Sequence, residues 1–351
     1  MLTEEKAQQA AETLARIADN VETVIVGKRE AVELIIMSLI AGGHALLEDM
    51  PGTGKTSLVS ALAKSVDCKF SRMQFTPDVM PSDVTGFSIY NQKTGDFEFR
   101  AGGIMSNLVL IDEINRASAK TQSALLEAME ERAVTVDSVT YRMEEPFMVL
   151  ATQNPIEQYG TYPLPEAQLD RFIIKLSMGY PTLDQEVQVV HNVKKAKASI
   201  TSVVTSQDIL DLRAAAEEVI VSDPVARYAV QLVTATRTMK ECRFGSSPRG
   251  SLALVALARA NALMRGRIYV MPDDIKYLAP YVLAHRIDLT HEAKVNGRTN
   301  EAVVQSILDS VAVPQVADET IAKGLTAHDG EPNEPEEQDV TGQPAKMKAG
   351  E

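Results

Sequence analysis

Short apolar runs alternate with helical patterns through the first half of the chain. The runs "HALLED", "NLVLIDE" and "FMVLATQN" have the length and apolar content of buried strands, and each ends in polar residues. Between the second and the third run, "SAKTQSALLEAMEER" places Leu125, Leu126 and Met129 on one face of a helix. Strands that alternate with helices in this way predict an α/β fold, in which helices cover a parallel sheet.

Two further segments interrupt this alternation, and a simple α/β core does not need them. The segment "FTPDVMPSDVTGFSIYNQKTGDFEFRAGG" carries "KTGD" as a turn between two alternating stretches, which predicts an inserted hairpin. In "AVTVDSVTYRME", the apolar positions of residues 133–136 oppose those of residues 139–142 across Asp137 and Ser138. This pattern predicts a second hairpin.

The strand signals end near Pro181, and helical patterns then continue to about Val313. These patterns include "SQDILDLRAAAEEVI", "RGSLALVALARANALMRG" and "MPDDIKYLAPYVLAHR". The remaining C-terminal residues are acidic, rich in proline and poor in apolar side chains, as in disordered segments. We therefore predict an α/β domain over residues 1–180, which contains the loop pattern described below, a smaller all-helical domain over 181–318 and an acidic disordered tail over 319–351.

The composition restricts the class of function. A chain of 351 residues fits about two domains. The formal net charge of -13 counts against general affinity for nucleic acid, which depends on neutralising phosphates with Lys and Arg. We expect a soluble, cytoplasmic protein, because the chain has no long apolar run and its N-terminus lacks a signal layout. Cys68 and Cys242 are far apart and indicate neither a disulfide framework nor a zinc site.

The segment "EDMPGTGKTS" contains a phosphate-binding loop pattern. Gly54, Lys55 and Thr56 fill the last three places of G-x-x-x-x-G-K-[ST], whereas Asp49 stands in the first place. Asp is a tolerable substitute there because it enters left-handed backbone conformations more easily than most residues. In such loops, backbone N–H groups surround the phosphates, the Lys reaches the outer phosphates and the hydroxyl contacts Mg²⁺. The candidate cofactor-binding residues of the loop are Pro51, Gly52, Thr53, Gly54, Lys55, Thr56 and Ser57.

Polar residues at the ends of two predicted strands complete a candidate hydrolytic site. In "LVLIDEIN", Asp112 and Glu113 follow an apolar run and therefore emerge at the polar end of a buried strand. Asp112 is suited to hold Mg²⁺ through its water shell, and Glu113 to accept a proton from the water that attacks the γ-phosphate. Asn154, which follows the strand "FMVLAT", is a candidate to orient that water, although an Asn before Pro is also a common turn residue.

Two arginines are candidates to stabilise the charge that develops on the transferred phosphoryl group. Arg171 lies in "LPEAQLDRF", and Arg249 lies in "SSPRGSLAL", where a helix of the second domain begins. Each of them could instead belong to a structural salt bridge, and the sequence leaves both interpretations open.

The chain resembles the MoxR family of AAA+ ATPases over roughly residues 20 to 315. The motifs that carry the resemblance are "GGHALLEDMPGTGKT", "LIDEINRASAKTQSALLEAMEER", "ATQNPIEQYGTYPLPEAQLDRF" and "GSSPRGS". In that family Asp commonly stands where the first loop glycine would be. The resemblance implies an AAA+ P-loop ATPase core with a parallel sheet, followed by an all-helical lid domain, with ATP and Mg²⁺ as cofactors.

The resemblance also implies a role for each candidate residue. An arginine finger acts on the nucleotide of the next subunit, so the resemblance implies a homo-oligomeric ring, in particular a hexamer. The two extra segments match the helix-2 insert and the pre-sensor 1 hairpin, which in related rings face the pore or the client. The implied assignments are Lys55 and Thr56 as the Walker A pair, Asp112 and Glu113 as the Walker B pair, Asn154 as sensor 1, Arg171 as the arginine finger, Arg249 as sensor 2, and Val26 and Gly27 as adenine contacts.

The leading hypothesis is an ATP-hydrolysing, chaperone-like motor that remodels or activates a protein partner. The resemblance suggests a von Willebrand factor A domain protein as this client, although no residue of the chain identifies it. One alternative is a nucleotide-dependent binding switch that holds a partner without mechanical work. A second is a DNA-directed ATPase, against which the acidic charge argues. The sequence also leaves open whether Arg249 acts on its own subunit's nucleotide or on a neighbour's.

Overall fold

The structure is a computed structural model that describes residues 2–48, 52–154, 161–196 and 200–315. Asp49 and Pro51 of the phosphate-loop motif lie outside the described residues. The predicted tail over 319–351 also lies outside them, so its disorder stays a prediction.

The strands and helices are labelled in chain order. The strands are β1 (Ala45–Glu48), β2 (Phe70–Gln74), β3 (Gly86–Asn91), β4 (Asp96–Ala101), β5 (Leu108–Asp112), β6 (Ala133–Val136), β7 (Val139–Arg142), β8 (Met148–Gln153), β9 (Ile174–Leu176), β10 (Cys242–Phe244) and β11 (Asp288–Leu289). The helices are α1 (Glu4–Glu22), α2 (Arg29–Ile40), α3 (Lys55–Ser65), α4 (Pro81–Thr85), α5 (Ala119–Glu131), α6 (Glu166–Leu169), α7 (Leu183–Ala196), α8 (Ser206–Glu217), α9 (Asp223–Thr238), α10 (Pro248–Met264), α11 (Pro272–Leu283), α12 (His291–Val295) and α13 (Asn300–Ser310). Short 3₁₀ turns cover Ile114–Arg116 and Ala284–Arg286.

Within the described ranges, five parallel strands form the main sheet in the order β2-β5-β8-β1-β9. The three strands predicted from apolar runs are β1, β5 and β8, and they lie next to one another at the centre of the sheet. β5 is buried along its whole length, as its run of apolar residues requires. Because the central strands are parallel, their carboxyl ends meet at one edge, where ligands bind in open α/β sheets.

Both predicted hairpins are confirmed. β3 pairs with β4 in antiparallel register, and β6 pairs with β7 across the predicted turn, so that Val136 opposes Val139. The two hairpins are also in contact with each other, because the rings of Phe99 and Tyr141 stack with their centroids 3.8 Å apart. At the outer end of the first hairpin, Tyr90 and Phe97 form an edge-to-face pair and are largely exposed.

The region after Pro181 is mostly helical, and it also contains the short antiparallel pair of β10 and β11. α11 begins at Pro272 as predicted, and the Asp274 carboxylate caps it by accepting a hydrogen bond from the Met271 N–H at 2.7 Å. The N-terminal helix α1 packs against α10, and α2 packs against α8 and α10. The apolar core is therefore continuous from the first helices into the helical region, and the predicted boundary near residue 180 stays a proposal.

His44, which precedes β1, is a structural residue of this core. Its Nδ1 accepts a hydrogen bond from the Val149 N–H at 2.9 Å, so its Nε2 carries the proton and donates to the Met129 carbonyl at 3.1 Å. Burial of the ring lowers the pKa of His44 to about 4. The imidazole therefore joins β8 to the end of α5 in its neutral form.

Cys68 and Cys242 are free thiols that are partly buried. Burial raises the pKa of both thiols, that of Cys68 to about 11, so neither has the character of a reactive thiolate. In the part of the chain that the structure describes, no helix is long and apolar enough to cross a membrane.

Candidate active site

A cleft of about 320 Å³ opens at the carboxyl ends of β5 and β8, next to the start of α3. It combines backbone from the glycine loop, carboxylates from the end of β5 and polar side chains from β2 and β8. The residues that line it are Gly52, Gly54, Lys55, Thr56, Ser57, Arg72, Gln74, Asp112, Glu113, Thr152 and Asn154.

The described part of the loop is shaped for close approach of an anion. Gly52 and Gly54 have φ angles of 87° and 89°, in a region that L side chains rarely adopt. A Cβ added to Gly52 would meet no atom within 4 Å among the described residues, so the space above the loop is open. Gly54 is the N-cap of α3, which begins at Lys55, and the N–H groups of a helix N-terminus favour phosphate.

Asp112, at the end of β5, is buried and is held by two side chains. Its Oδ2 accepts a hydrogen bond from Arg72 Nε at 2.7 Å, and its Oδ1 accepts one from the Thr152 hydroxyl at 3.4 Å. Arg72 and Gln74 lie on β2, which the sequence analysis did not predict. The stretch "FSRMQ" has two consecutive polar residues, Ser71 and Arg72, between its apolar ones, so it does not show the alternation that identifies a half-buried strand.

Glu113 adopts an unusual backbone conformation directly after β5. Its φ and ψ are 57° and 52°, which is uncommon outside glycine and costs about 1–3 kcal/mol. Its N–H donates to the Thr152 hydroxyl at 2.9 Å, and its carboxylate lies 3.0 Å from Arg116 Nη1. The left-handed residue ends the strand, and the side chain of Glu113 lines the cleft beside that of Asp112.

The residues of the cleft fit Mg²⁺. Thr56 and Asp112 both line the cleft and offer oxygen ligands, which this ion prefers. Within the described ranges, no group of three or more His, Cys, Asp or Glu side chains forms a metal cage. Mg²⁺ is usually held by one or two protein oxygens together with phosphates and waters, and Thr56 and Asp112 supply two such oxygens here.

Val26 and Gly27 do not line this cleft. The Gln185 side chain covers Gly27, since its Nε2 donates to the Gly27 carbonyl at 3.3 Å. The neighbouring Ile25 is close to the loop: its Cδ1 is 3.8 Å from the position that a Cβ on Gly54 would take. Val26 and Gly27 thus follow a residue that lies next to the loop, and their contact with the adenine base of a nucleotide stays a prediction.

Arg171 and Arg249 also lie outside the cleft, but the fold brings them together. They line a second cavity of about 480 Å³, and both form ion pairs with Glu130 near the end of α5. Arg171 Nη2 is 3.0 Å from Glu130 Oε2, and Arg249 Nη2 contacts Glu130 Oε1. Both arginines therefore form salt bridges in this structure, and their roles toward a nucleotide stay predictions. The sequence offered no reason to single out Glu130. It is one of two adjacent glutamates in "MEER", and glutamates are common near the end of a surface helix.

The comparisons with known proteins agree with this arrangement. Residues 44–174 match the family described as "ATPase family associated with various cellular activities (AAA)", and residues 234–307 match the AAA lid domain. These two segments contain the cleft residues from Gly52 to Asn154 and the helix start that carries Arg249.

Individual relatives cover most of the chain. The YeaC protein of Bacillus subtilis is 52% identical over 303 residues, which are 86% of this chain and 95% of that protein. Chaperone MoxR1 of Mycobacterium tuberculosis is 42% identical over 313 residues, which are 87% of this chain and 83% of that protein. The crystal structure of a proposed ATPase from Cytophaga hutchinsonii matches with a TM-score of 0.83 at 40% identity and covers 89% of this chain and 98% of its own. The chain therefore belongs to the MoxR family of AAA+ ATPases.

Proposed function

We propose that the protein hydrolyses ATP to ADP and phosphate in the cleft between the glycine loop and the ends of β5 and β8. The observation that carries this proposal is the convergence of Lys55, Asp112, Glu113 and Asn154 on one open space. A glycine loop alone would support nucleotide binding. A buried carboxylate and a second carboxylate in the same cleft add what hydrolysis requires.

Each residue has a task that follows from its chemistry. The N–H groups of the loop and the Lys55 ammonium bind the phosphates, and Asn154 orients the attacking water. The Glu113 carboxylate accepts the proton of that water as the new P–O bond forms, and ADP leaves with the electrons of the broken bond. Thr56 and Asp112 would hold Mg²⁺, which would supply positive charge to offset the negative charge of the phosphates. In this proposal Lys55 and Thr56 act as the Walker A pair, and Asp112 and Glu113 as the Walker B pair.

Arg171 and Arg249 act on the nucleotide of a neighbouring subunit in this proposal. Both lie outside the cleft of their own chain, next to a cavity on another part of the molecule. An arginine that completes a neighbour's site requires a head-to-tail contact between copies, and such contacts form a ring when the rotation between copies closes. We propose a homo-oligomeric ring, with the hexamer that the family resemblance implies.

The energy of hydrolysis is used to remodel or activate a protein partner. The name of one relative, Chaperone MoxR1, supports this proposal. The exposed Tyr90 and Phe97 at the end of the first hairpin offer aromatic surface for such a client. A von Willebrand factor A domain protein is the client class that we propose from the family resemblance, and the cytoplasm is the proposed location.

Glu113→Gln tests the ATPase part of the proposal. The variant keeps the size of the side chain and loses the proton acceptor, so we expect ATP to bind with the parent affinity while phosphate release falls by two or more orders of magnitude. Turnover at the parent rate would show that Glu113 is not the base. Lys55→Ala is the companion variant, and it should lose nucleotide binding as well.

The same variant tests the partner. Held in ATP, Glu113→Gln protein should retain clients that normally leave after hydrolysis, and mass spectrometry identifies what co-purifies from a native lysate. Recovery of a von Willebrand factor A protein only with ATP is the expected result. Recovery of nucleic-acid-associated proteins alone would instead favour the DNA-directed alternative.

A further inference from the structure

The Glu130 carboxylate lies between two arginines that come from different parts of the chain. Glu130 is in the last turn of α5, Arg171 follows α6, and Arg249 is in the first turn of α10. The Oε2 atom of Glu130 contacts the Arg171 guanidinium, and its Oε1 atom contacts the Arg249 guanidinium. The same side chain therefore joins both arginines. Without a carboxylate between them, two adjacent guanidinium groups would repel each other.

The backbone segments that carry the two arginines are joined as well. Asp170 precedes Arg171, and its Oδ2 accepts a hydrogen bond at 2.8 Å from the hydroxyl of Ser247, the N-cap residue of α10. Its Oδ1 accepts a bond at 2.9 Å from Nε of the buried Arg286. Arg286 Nη2 also donates to the Phe172 carbonyl at 2.6 Å. These bonds therefore hold the backbone at Arg171 close to the backbone at Arg249, independently of the contacts that the two arginine side chains make with Glu130.

The contacts with Glu130 leave the arginines able to bind phosphate. In each ion pair one Nη2 nitrogen contacts the carboxylate, whereas a guanidinium has five N–H donors. Both guanidinium groups line the cavity of about 480 Å³, and Arg171 and Arg249 are partly exposed there. A phosphate oxygen that entered this cavity would meet two cations already held side by side.

We infer that Glu130 is a positioning residue, which holds Arg171 and Arg249 as a pair so that both approach the terminal phosphate of a neighbouring subunit together. This inference rests on the proposed function, in which the two arginines act on a neighbour's ATP. Glu130 itself acts through the arginines and contributes no group to the reacting atoms. Glu130 contributes to the rate by aligning the two guanidinium groups, since a misplacement of about 1 Å in a charge-stabilising group costs up to roughly a hundredfold in rate.

Glu130→Gln in the full-length chain tests the inference. The amide keeps the length of the side chain and loses the charge that holds both arginines, so kcat for ATP should fall at least roughly tenfold. The KM, the affinity for a fluorescent ATP analogue and the size of the oligomer should stay at parent values. Glu131→Gln is the matched control and should keep the parent kcat. An unchanged kcat in Glu130→Gln would overturn the inference.

A second measurement separates positioning from a merely structural role. Glu130→Gln is added to a protein that already carries Arg171→Ala and Arg249→Ala, and hydrolysis is followed in single-turnover mixtures. No further loss is expected, because Glu130 acts only through these arginines. A further loss equal to that in the parent background would overturn the inference. If the two arginine variants hydrolysed ATP at the parent rate, the proposed role of the arginines would be wrong; if they lost turnover and Glu130→Gln did not, only the role of Glu130 would be.

Discussion

The Arg72 guanidinium donates a hydrogen bond to the Asp112 carboxylate, with 2.7 Å between Nε and Oδ2. The contact joins two adjacent strands, because Arg72 lies on β2 and Asp112 ends β5. The carboxylate that we propose as a holder of Mg²⁺ thus has a cationic neighbour on the wall of its own cleft.

This contact should weaken the affinity of the site for Mg²⁺, because a guanidinium competes with the metal for the same oxygen and repels it. We predict that Arg72→Met lowers, by several-fold, the Mg²⁺ concentration that half-saturates binding of a fluorescent ATP analogue. Arg100→Met, on the exposed hairpin strand β4, is the control. A higher Mg²⁺ requirement in Arg72→Met would mean that Arg72 assists the metal site instead.

The lack of a side chain at Gly52 should matter for nucleotide binding as well as for stability. Gly52→Ala places a methyl group where the phosphates are expected, so we predict loss of ATP binding by equilibrium titration. Gly95→Ala is a close control, since Gly95 also has a positive φ and a Cβ there would likewise meet nothing within 4 Å among the described residues. Both variants should lose about 1–2 kcal/mol of unfolding free energy. Equal ATP affinity in the two variants would argue against phosphate binding at Gly52.

Removal of either proposed trans-acting arginine should separate binding from turnover. We predict that Arg171→Ala and Arg249→Ala each bind ATP with the parent affinity but hydrolyse it roughly a thousandfold more slowly, the scale of an arginine finger. Arg243→Ala, whose side chain pairs with Asp288 between β10 and β11, is the control and should keep the parent rate. Loss of ATP binding in Arg249→Ala would indicate that this residue serves its own subunit's site.

Buried His44 should make the fold less stable as the pH falls. Its pKa is lowered by burial from the ordinary 6.5 to about 4, so below pH 6.5 the unfolded chain takes up a proton that the folded chain does not. The free energy of unfolding should therefore fall between pH 6.5 and 4, by about 2 kcal/mol at pH 5 from this group. Urea unfolding of the parent and of His44→Gln should show the difference between them narrowing from pH 7 to pH 5. A constant difference would mean that the ring does not stay neutral.

The sequence was sufficient where local pattern determines structure. The apolar runs identified β1, β5 and β8, and the turn residues identified both hairpins. β2 and β9 were missed because five and three residues carry too little periodicity to distinguish a strand from a loop. The absence of β2 from the prediction also removed Arg72 and Gln74 from the predicted site.

The pair of Arg171 and Arg249 on Glu130 shows a different limit of sequence reasoning. Arg171 and Arg249 were each identified as candidates, yet no local pattern relates them to each other or to Glu130. Their proximity follows from the packing of α10 against the sheet domain, which depends on long-range contacts such as that between Ser247 and Asp170. The sequence alone left open whether Arg249 acts on the nucleotide of its own subunit. In the structure Arg249 lines a cavity other than the cleft of the glycine loop, which supports the proposal that it acts on a neighbour's nucleotide.

The central claim is that each active site is completed by arginines from a neighbouring copy, and mixing two inactive variants tests it most directly. Arg171→Ala subunits keep an intact cleft, and Glu113→Gln subunits keep intact arginines. If the arginine acts between subunits, mixed oligomers should regain ATP hydrolysis, in proportion to the number of interfaces that join one kind of subunit to the other. If the mixture stays as inactive as its components while both variants form mixed oligomers, Arg171 acts within its own chain and the account is wrong.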